Sequence, residues 1–134
     1  MLITMKLAIQ EAGIRLEETD VISAHATSTK VGDRIETLAI KKLLGASAAH
    51  IPITTNKSMT GHSMGASSVL EAIALIKSLQ NNIIPPTINH DHQDSECDLD
   101  YVPNRAREIK FKIGLSNSFW FGGHNAVTAL QSNM

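Results

Sequence analysis

The sequence predicts a layered α/β domain with a mixed sheet and helices packed on it. Three observations carry this expectation. Segments with helical apolar spacing alternate with short strand-type runs. Two of the helical segments close on glycine, Gly13 and Gly45. The chain then ends in two strand-like runs joined across Gly122-Gly123. The order is helix, strand, helix, strand, helix, a long loop and two strands, with no internal repeat. At 134 residues the chain has room for one core, so residues 1–134 are read as a single domain.

Residues 2–12 place Leu2, Met5, Ile9 and Ala12 on one helical face, with Gly13 at the C′ position. No capping residue precedes the segment, as if an element were entered partway. "VISAHATST" starts as a buried strand and runs into Ser and Thr. "GDRIETLAIKKLLG" predicts a helix with Asp33 and Glu36 as a capping-box variant. Its expected apolar stripe is Ile35, Leu38, Ala39, Lys42 (through its stem) and Leu43. "HIPITT" is a short strand. "SSVLEAIALIKSLQ" is a helix with Val69, Ile73, Ile76 and Leu79 at helical spacing. Residues 81–107 form a long polar section around Pro85-Pro86, suited to an ordered surface loop or a linker. "KFKIGLSNSF" alternates through Phe111, Ile113 and Leu115 and reads as a strand, and "FGGHNAVTAL" turns into its hairpin partner.

Composition narrows the function. Net charge is −1 and the sequence pI is about 6.6, so neither nucleic acid nor an anionic membrane is favoured as a partner. Hydrophobic residues make up 43% and charged residues 19%, as in globular domains. No apolar run approaches the roughly 20 residues of a membrane span. The N-terminus has neither a basic region nor a signal-type cleavage site. Cys97 is the only cysteine, which excludes an internal disulfide and suggests a reducing, cytoplasmic setting.

Three stretches can carry chemistry. His25 lies at the carboxyl end of a predicted strand, ahead of Thr27, Ser28 and Thr29, where α/β sheets gather ligands. Lys57 and His62 lie in the next strand-to-helix junction, "NKSMTGHSMGAS". Amides at the following helix start would favour an anionic or oxyanionic group there. Gly122-Gly123 lets backbone approach a ligand closely. Each stretch alone equally suits a turn: a satisfied histidine, a solvated lysine, a hairpin bend. Together they follow strands of one expected sheet and can converge on one cleft. His90, His92, Asp91, Asp94, Glu96 and Cys97 form a polar tract. It lacks the second ligand pair of a structural zinc site, so a solvated loop is expected, with a metal-binding domain using His90 and His92 as the weaker alternative. Cys97 has no basic sequence neighbour and reads as an ordinary thiol.

In order, "SAHATSTKVGDRIET", "NKSMTGHSMGASSVLEAI", "IIPPTIN", "ECDLDYVPN" and "LSNSFWFGGHNA" resemble the C-terminal half of a β-ketoacyl-acyl-carrier-protein synthase of the elongating type II kind. The resemblance covers nearly the whole chain. It implies the C-terminal half of a thiolase-like αβαβα sandwich, whose complete form has two similar halves and dimerises. It implies a role in decarboxylating condensation of an enzyme-bound acyl group with malonyl-carrier protein in fatty acid synthesis. No separate cofactor is implied, since substrates ride on the phosphopantetheine of acyl carrier protein. Position by position, it implies His25 and His62 at the malonyl site and Lys57 orienting it, with Glu71 as the acidic partner. Thr27 and Thr29 match the threonines contacting pantetheine. Phe121 matches the phenylalanine that gates the acyl pocket, its amide joining the oxyanion hole, with Gly122 beside it and Asn117 as a supporting residue.

The chain departs from the pattern at several positions. Ala26 stands where the family has Gly, Trp120 replaces the Gly between the two phenylalanines, His124 replaces Thr, and Ser68 ends a G-A-A-G pattern. The family's nucleophilic cysteine belongs to the other half, and Cys97 does not match it. The expectation is a chain inactive alone, which needs an N-terminal half or another condensing-enzyme subunit and tends to dimerise or self-associate. The alternative is a non-catalytic partner resembling a chain-length factor, or a decayed remnant.

Overall fold

The computed structural model describes residues 1–133; Met134 and the side chain of Phe121 lie outside the described residues. Helix α1 (Leu2–Glu11) precedes strand β1 (Val21–Ser23), helix α2 (Lys30–Leu44) and strand β2 (Ile53–Thr54). A one-turn helix α3 (Lys57–Thr60) and helix α4 (Ser67–Asn81) follow. Then come β3 (Ile83–Ile84), β4 (Arg107–Glu108), β5 (Ile113–Phe119) and β6 (Asn125–Gln131). The main sheet runs β2-β1-β5-β6. Strand β1 pairs in parallel with both β2 and β5, whereas β5 and β6 pair antiparallel. The sheet is therefore mixed, as the sequence order requires.

Side chains alternate across the sheet and divide the core in two. On one face Ile22 and Leu115 pack with Met5 and Ile9 of α1 and with Ile40 and Leu43 of α2. On the other, Val21 packs with Leu75 and Leu79 of α4 and with Phe111. Gly114 makes the second contact possible. A Cβ there would lie 2.8 Å from Leu75 Cδ1 and 3.0 Å from Val21 Cγ1. Helix α4 thus crosses β5 closely because position 114 carries no side chain.

Two expectations need correction. Helix α2 begins at Lys30 with Thr29 as N-cap, and no side chain caps it. The Asp33–Glu36 capping box does not form, because Glu36 is already in the second turn and points into the core, 3% exposed. Second, the predicted stripes only partly face inward. Ile35 and Leu38 on α2 are 49% and 50% exposed, and Val69 and Ile73 on α4 are 59% and 51% exposed. Glu36, Thr37 and Ile40, and Glu71, Leu75 and Ser78, take the buried faces. Both helices are apolar on two sides, which is the pattern of a helix layer meant to be covered twice. Residues 81–107, expected as an ordered surface loop or a linker, form an ordered loop. Strands β3 and β4 pair antiparallel at their ends. Between them, Asp94 and Glu96 bind Arg34, Asp98 binds Lys41, and Asp100 binds Arg107. Asp94, Glu96 and Asp98 thereby link the loop to α2, and buried Leu99 and Val102 anchor it from within. Among the described residues no helix is long and apolar enough to cross a membrane.

The close crossing at Gly114 yields a direct test. Gly114→Ala should destabilise the fold by about 1–3 kcal/mol through overpacking, read as a lower denaturant midpoint at unchanged slope.

Candidate active site

The carboxyl ends of β1, β2 and β5 point to the same side of the sheet and each leads into one of the stretches singled out above. After β1, the chain turns through His25–Thr29 into α2. Glu36 holds that turn from beneath. Its carboxylate accepts the His25 N–H at 3.0 Å and the Ala26 N–H at 2.9 Å. It also accepts Asn117 Nδ2 from β5 at 2.9 Å. Burial pushes the Glu36 carboxyl up, and these donors oppose it. Ala26 and Ser28 both sit at positive φ, +28° and +61°. A side chain is strained there, which explains why the resemblance calls for glycine at 26. Thr27 and Thr29 turn their hydroxyls toward one another at 3.3 Å.

After β2, α3 and the following turn place Lys57 and His62. Gly61, at φ +71°, makes the bend that only glycine takes easily. Lys57 is 9% exposed and Glu71 3% exposed, and their side chains form a buried ion pair between α3 and α4. Burial pushes the Glu71 carboxyl up and Lys57 pulls it back down. His62 is held by its own turn. The Met64 N–H donates to His62 Nδ1 at 3.1 Å. Ser67 Oγ stands 3.1 Å from the same nitrogen and accepts the Ser63 N–H at 2.9 Å. A ring nitrogen that accepts from a backbone amide carries no proton, so in neutral His62 the proton is on Nε2.

The two imidazoles meet. Their ring centroids are 5.8 Å apart and nearly perpendicular. Phe119, at the end of β5, meets the His25 ring at 6.0 Å. Burial, followed by the positive fields of Lys57 and His62, lowers the His25 pKa to about 4, so His25 is uncharged at neutral pH. Two cavities reach this point. One, of about 430 Å³, is lined by Lys57, His62, Asp33, Glu36, Cys97 and Tyr101. The other, of about 970 Å³, takes in His25, His62, Thr27, Thr29, Phe119 and Trp120. His62 and Thr27 line both.

The structure thus gathers His25, His62, Lys57, Glu71, Thr27, Thr29 and Asn117. Gly122 lies in the 121–123 turn after β5 at φ +76°. Phe121's expected side-chain role lies outside the described residues. Glu36 and Ser67, which sequence reasoning missed as site residues, are as central as the histidines. Among the described residues no three His, Cys, Asp or Glu side chains come together to hold an ion. His90 stacks on Tyr101 at 6.1 Å instead.

Known proteins share this fold. Residues 2–91 match the family model described as β-ketoacyl synthase, C-terminal domain. The chain belongs to the β-ketoacyl synthase C-terminal domain family. Within it, the chain is 46% identical over 126 residues to the 3-oxoacyl-[acyl-carrier-protein] synthase 2 of Coxiella burnetii, covering 94% of this chain and 30% of that protein. It is 44% identical over 127 residues to nodulation protein E of Rhizobium sp. (strain N33), covering 95% of this chain and 32% of that protein. Among solved structures, the ishigamide ketosynthase/chain length factor superposes with a TM-score of 0.93 at 46% identity, over 97% of this chain and 32% of that one. A type II polyketide ketosynthase in complex with its acyl-carrier protein, AntDE:AntF, gives 0.97 at 37% identity, over 99% and 33%. The chain spans about a third of the length of these relatives. A thiolase-like β-ketoacyl synthase fold and its mixed sheet are therefore established for this segment.

Two tests follow from the geometry. Ala26→Gly should stabilise by on the order of 0.5–1 kcal/mol, the left-handed strain less the extra backbone entropy of glycine, read as a raised thermal midpoint. Lys57→Met should cost about 3–5 kcal/mol by leaving Glu71 buried without a partner. Lys57→Met combined with Glu71→Met should recover most of that loss in a double-mutant cycle.

Proposed function

We propose that this segment supplies the malonyl-decarboxylating and pantetheine-binding side of a β-ketoacyl-acyl-carrier-protein synthase. The acyl-accepting cysteine comes from an N-terminal half, whether in the same polypeptide or in a partner subunit. Such chemistry needs a nucleophile that Cys97 does not supply. The observation that carries the reading is the imidazole pair, with His25 uncharged and His62 Nδ1 already engaged as an acceptor.

The proposed step is as follows. The bond between the malonyl α-carbon and its carboxylate breaks, and CO2 leaves. The electron pair stays on the substrate as a thioester enolate, whose negative charge lies mainly on oxygen. His62 Nε2–H and an N–H of neutral His25 donate to that oxygen. The α-carbon of the enolate then attacks the acyl thioester on the cysteine of the other half, which releases that thiolate. Neutral donors suit this task because their hydrogen bonds strengthen as the charge develops, without a fixed charge that would bind the malonyl carboxylate instead. Lys57, paired with Glu71, positions the α3 turn, and its positive field helps keep His25 uncharged. Thr27 and Thr29 contact the pantetheine arm at the cavity mouth, and acyl carrier protein is the partner that delivers it. The twice-apolar faces of α2 and α4 support burial against the N-terminal half and a dimeric assembly. The setting proposed is the cytoplasm, in fatty acid synthesis.

The second reading is a non-catalytic subunit resembling a chain-length factor, favoured by the strained Ala26 and by Trp120. One experiment separates the two. In the assembly containing the N-terminal half, His62→Ala should lower malonyl-carrier-protein decarboxylation by roughly 10²–10³-fold, the usual loss for one oxyanion donor. An unchanged rate would remove His62 from the role and favour the subunit reading.

A further inference from the structure

We infer that Ser67 is a positioning residue for the His62 donor: its hydroxyl gives its proton to His62 Nδ1, and so holds and polarises the Nε2–H that faces the developing enolate. The inference rests on the decarboxylation reading above and adds to it a residue that touches no substrate.

Ser67 opens α4 and is 5% exposed. Its Oγ stands 3.1 Å from His62 Nδ1. Among the described residues it lines neither cavity, so it reaches substrate only through the imidazole. That separates it from a serine nucleophile, which needs an open path to the acyl group. The direction of the hydrogen bond follows from the groups around it. The Ser63 N–H donates to Ser67 Oγ at 2.9 Å, and the Met64 N–H donates to His62 Nδ1 at 3.1 Å. Nδ1 therefore carries no proton and can only accept, so the hydroxyl is the donor. The G-A-A-G pattern has alanine at position 67, and relative to that pattern the hydroxyl is an added group.

His62 needs such a hold. It is exposed in this segment and lines both cavities, so packing within the segment leaves its ring room to turn. Met64, which supplies the other donor, sits at φ +49°, a strained backbone for a residue with a side chain. The hydroxyl closes this turn from the far side, because it holds the Ser63 amide and Nδ1 at once. A half-turn of the ring about Cβ–Cγ would set Cδ2–H against both donors and forfeit both bonds. Hydrogen bonds in series also polarise one another. A proton donated to Nδ1 draws electron density from the ring, so Nε2–H becomes a stronger donor as charge grows on the enolate oxygen. The benefit is therefore concentrated in the transition state.

The test uses the assembly containing the N-terminal half, with isotopically labelled histidine nitrogens read by NMR. In the unsubstituted protein the His62 Nδ1 signal should be that of a proton-free nitrogen accepting hydrogen bonds. A protonated Nδ1 would overturn the inference before any variant is made. In Ser67→Ala, which restores the alanine of the pattern, the signal should move toward that of an unbonded nitrogen. The kcat of malonyl-carrier-protein decarboxylation should fall about threefold to tenfold at unchanged KM, the worth of one hydrogen bond. Ser67→Thr keeps the hydroxyl and should restore both the signal and the rate. In a His62→Ala background, Ser67→Ala should change the rate no further, because its effect passes through the ring. An unmoved Nδ1 signal in Ser67→Ala, or an equal loss of rate with and without His62, would overturn the inference alone and leave Ser67 as a residue of the turn. A moved signal with an unchanged rate would instead overturn the reading of His62 as oxyanion donor, and with it any catalytic consequence of the Ser67 contact.

Discussion

The Glu36 carboxylate is the constraint on which the site depends. It is buried, and it accepts from the backbone of His25 and Ala26 and from the side chain of Asn117. Those three donors come from the turn after β1 and from β5, while Glu36 itself rides on α2. One side chain therefore ties together a helix, the end of one strand and the middle of the next. A carboxylate deprived of water tolerates burial only when hydrogen-bonded in this way. The arrangement also fixes where the His25 ring starts, since its backbone N–H is one of the three donors. It offsets the left-handed strain at Ala26 by anchoring that residue's N–H. Asn117, 0% exposed, completes the tie and presents its amide toward Met5 Sδ at 3.6 Å. A polar residue in the centre of a strand is thus explained by what it holds.

The exposed apolar faces have a physical meaning that the order of elements alone does not supply. Helical periodicity records that a stripe is apolar, not which of two surfaces covers it. On α2 and α4 the side facing the sheet contains carboxylates and hydroxyls with partners, while Ile35, Leu38, Val69 and Ile73 face outward. An isolated domain arranged this way exposes apolar area that water disfavours. The reading that resolves it is a layer of helices between two sheets.

How much of this was legible follows the range of the interactions. The strands, the hairpin at Gly122-Gly123 and the three long helices were legible because periodicity and turn chemistry are local. His25, Lys57 and His62 were legible because each follows a strand on the same edge of the sheet, and their ordered motifs resemble one family. The Lys57–Glu71 pair came from that resemblance, and the buried ion pair between α3 and α4 matches it. Glu36 was misread because a carboxylate three residues after Asp33 looks like a capping box, and only the one-turn earlier start of α2 redirects it inward. Ser67 escaped notice because its role is to stand against a histidine ring five residues away, across a turn whose shape a sequence does not reveal. The anchoring of residues 89–100 escaped for the same reason: its ion pairs join residues about sixty positions apart, as in Arg34 with Asp94.

The charges around the imidazoles form an ordered chain of dependence. Glu71 makes a buried ammonium at Lys57 tolerable, since an unpaired charge there would carry the whole desolvation cost. That ammonium, after burial itself, is the next contributor to keeping His25 uncharged. His62 takes the opposite course: its Nδ1 is occupied by a backbone donor, so hydrogen bonding and not charge selects its tautomer. His25 is thus kept uncharged by its surroundings, while the tautomer of His62 is set by the geometry of its own turn. A change in ionic surroundings, such as binding a malonyl carboxylate nearby, would partly cancel the Lys57 field at His25 and leave the His62 tautomer in place. For the decarboxylation proposed here, the orientation of the His62 donor is therefore set by its own turn, and the uncharged state of the His25 donor by burial and the field around it.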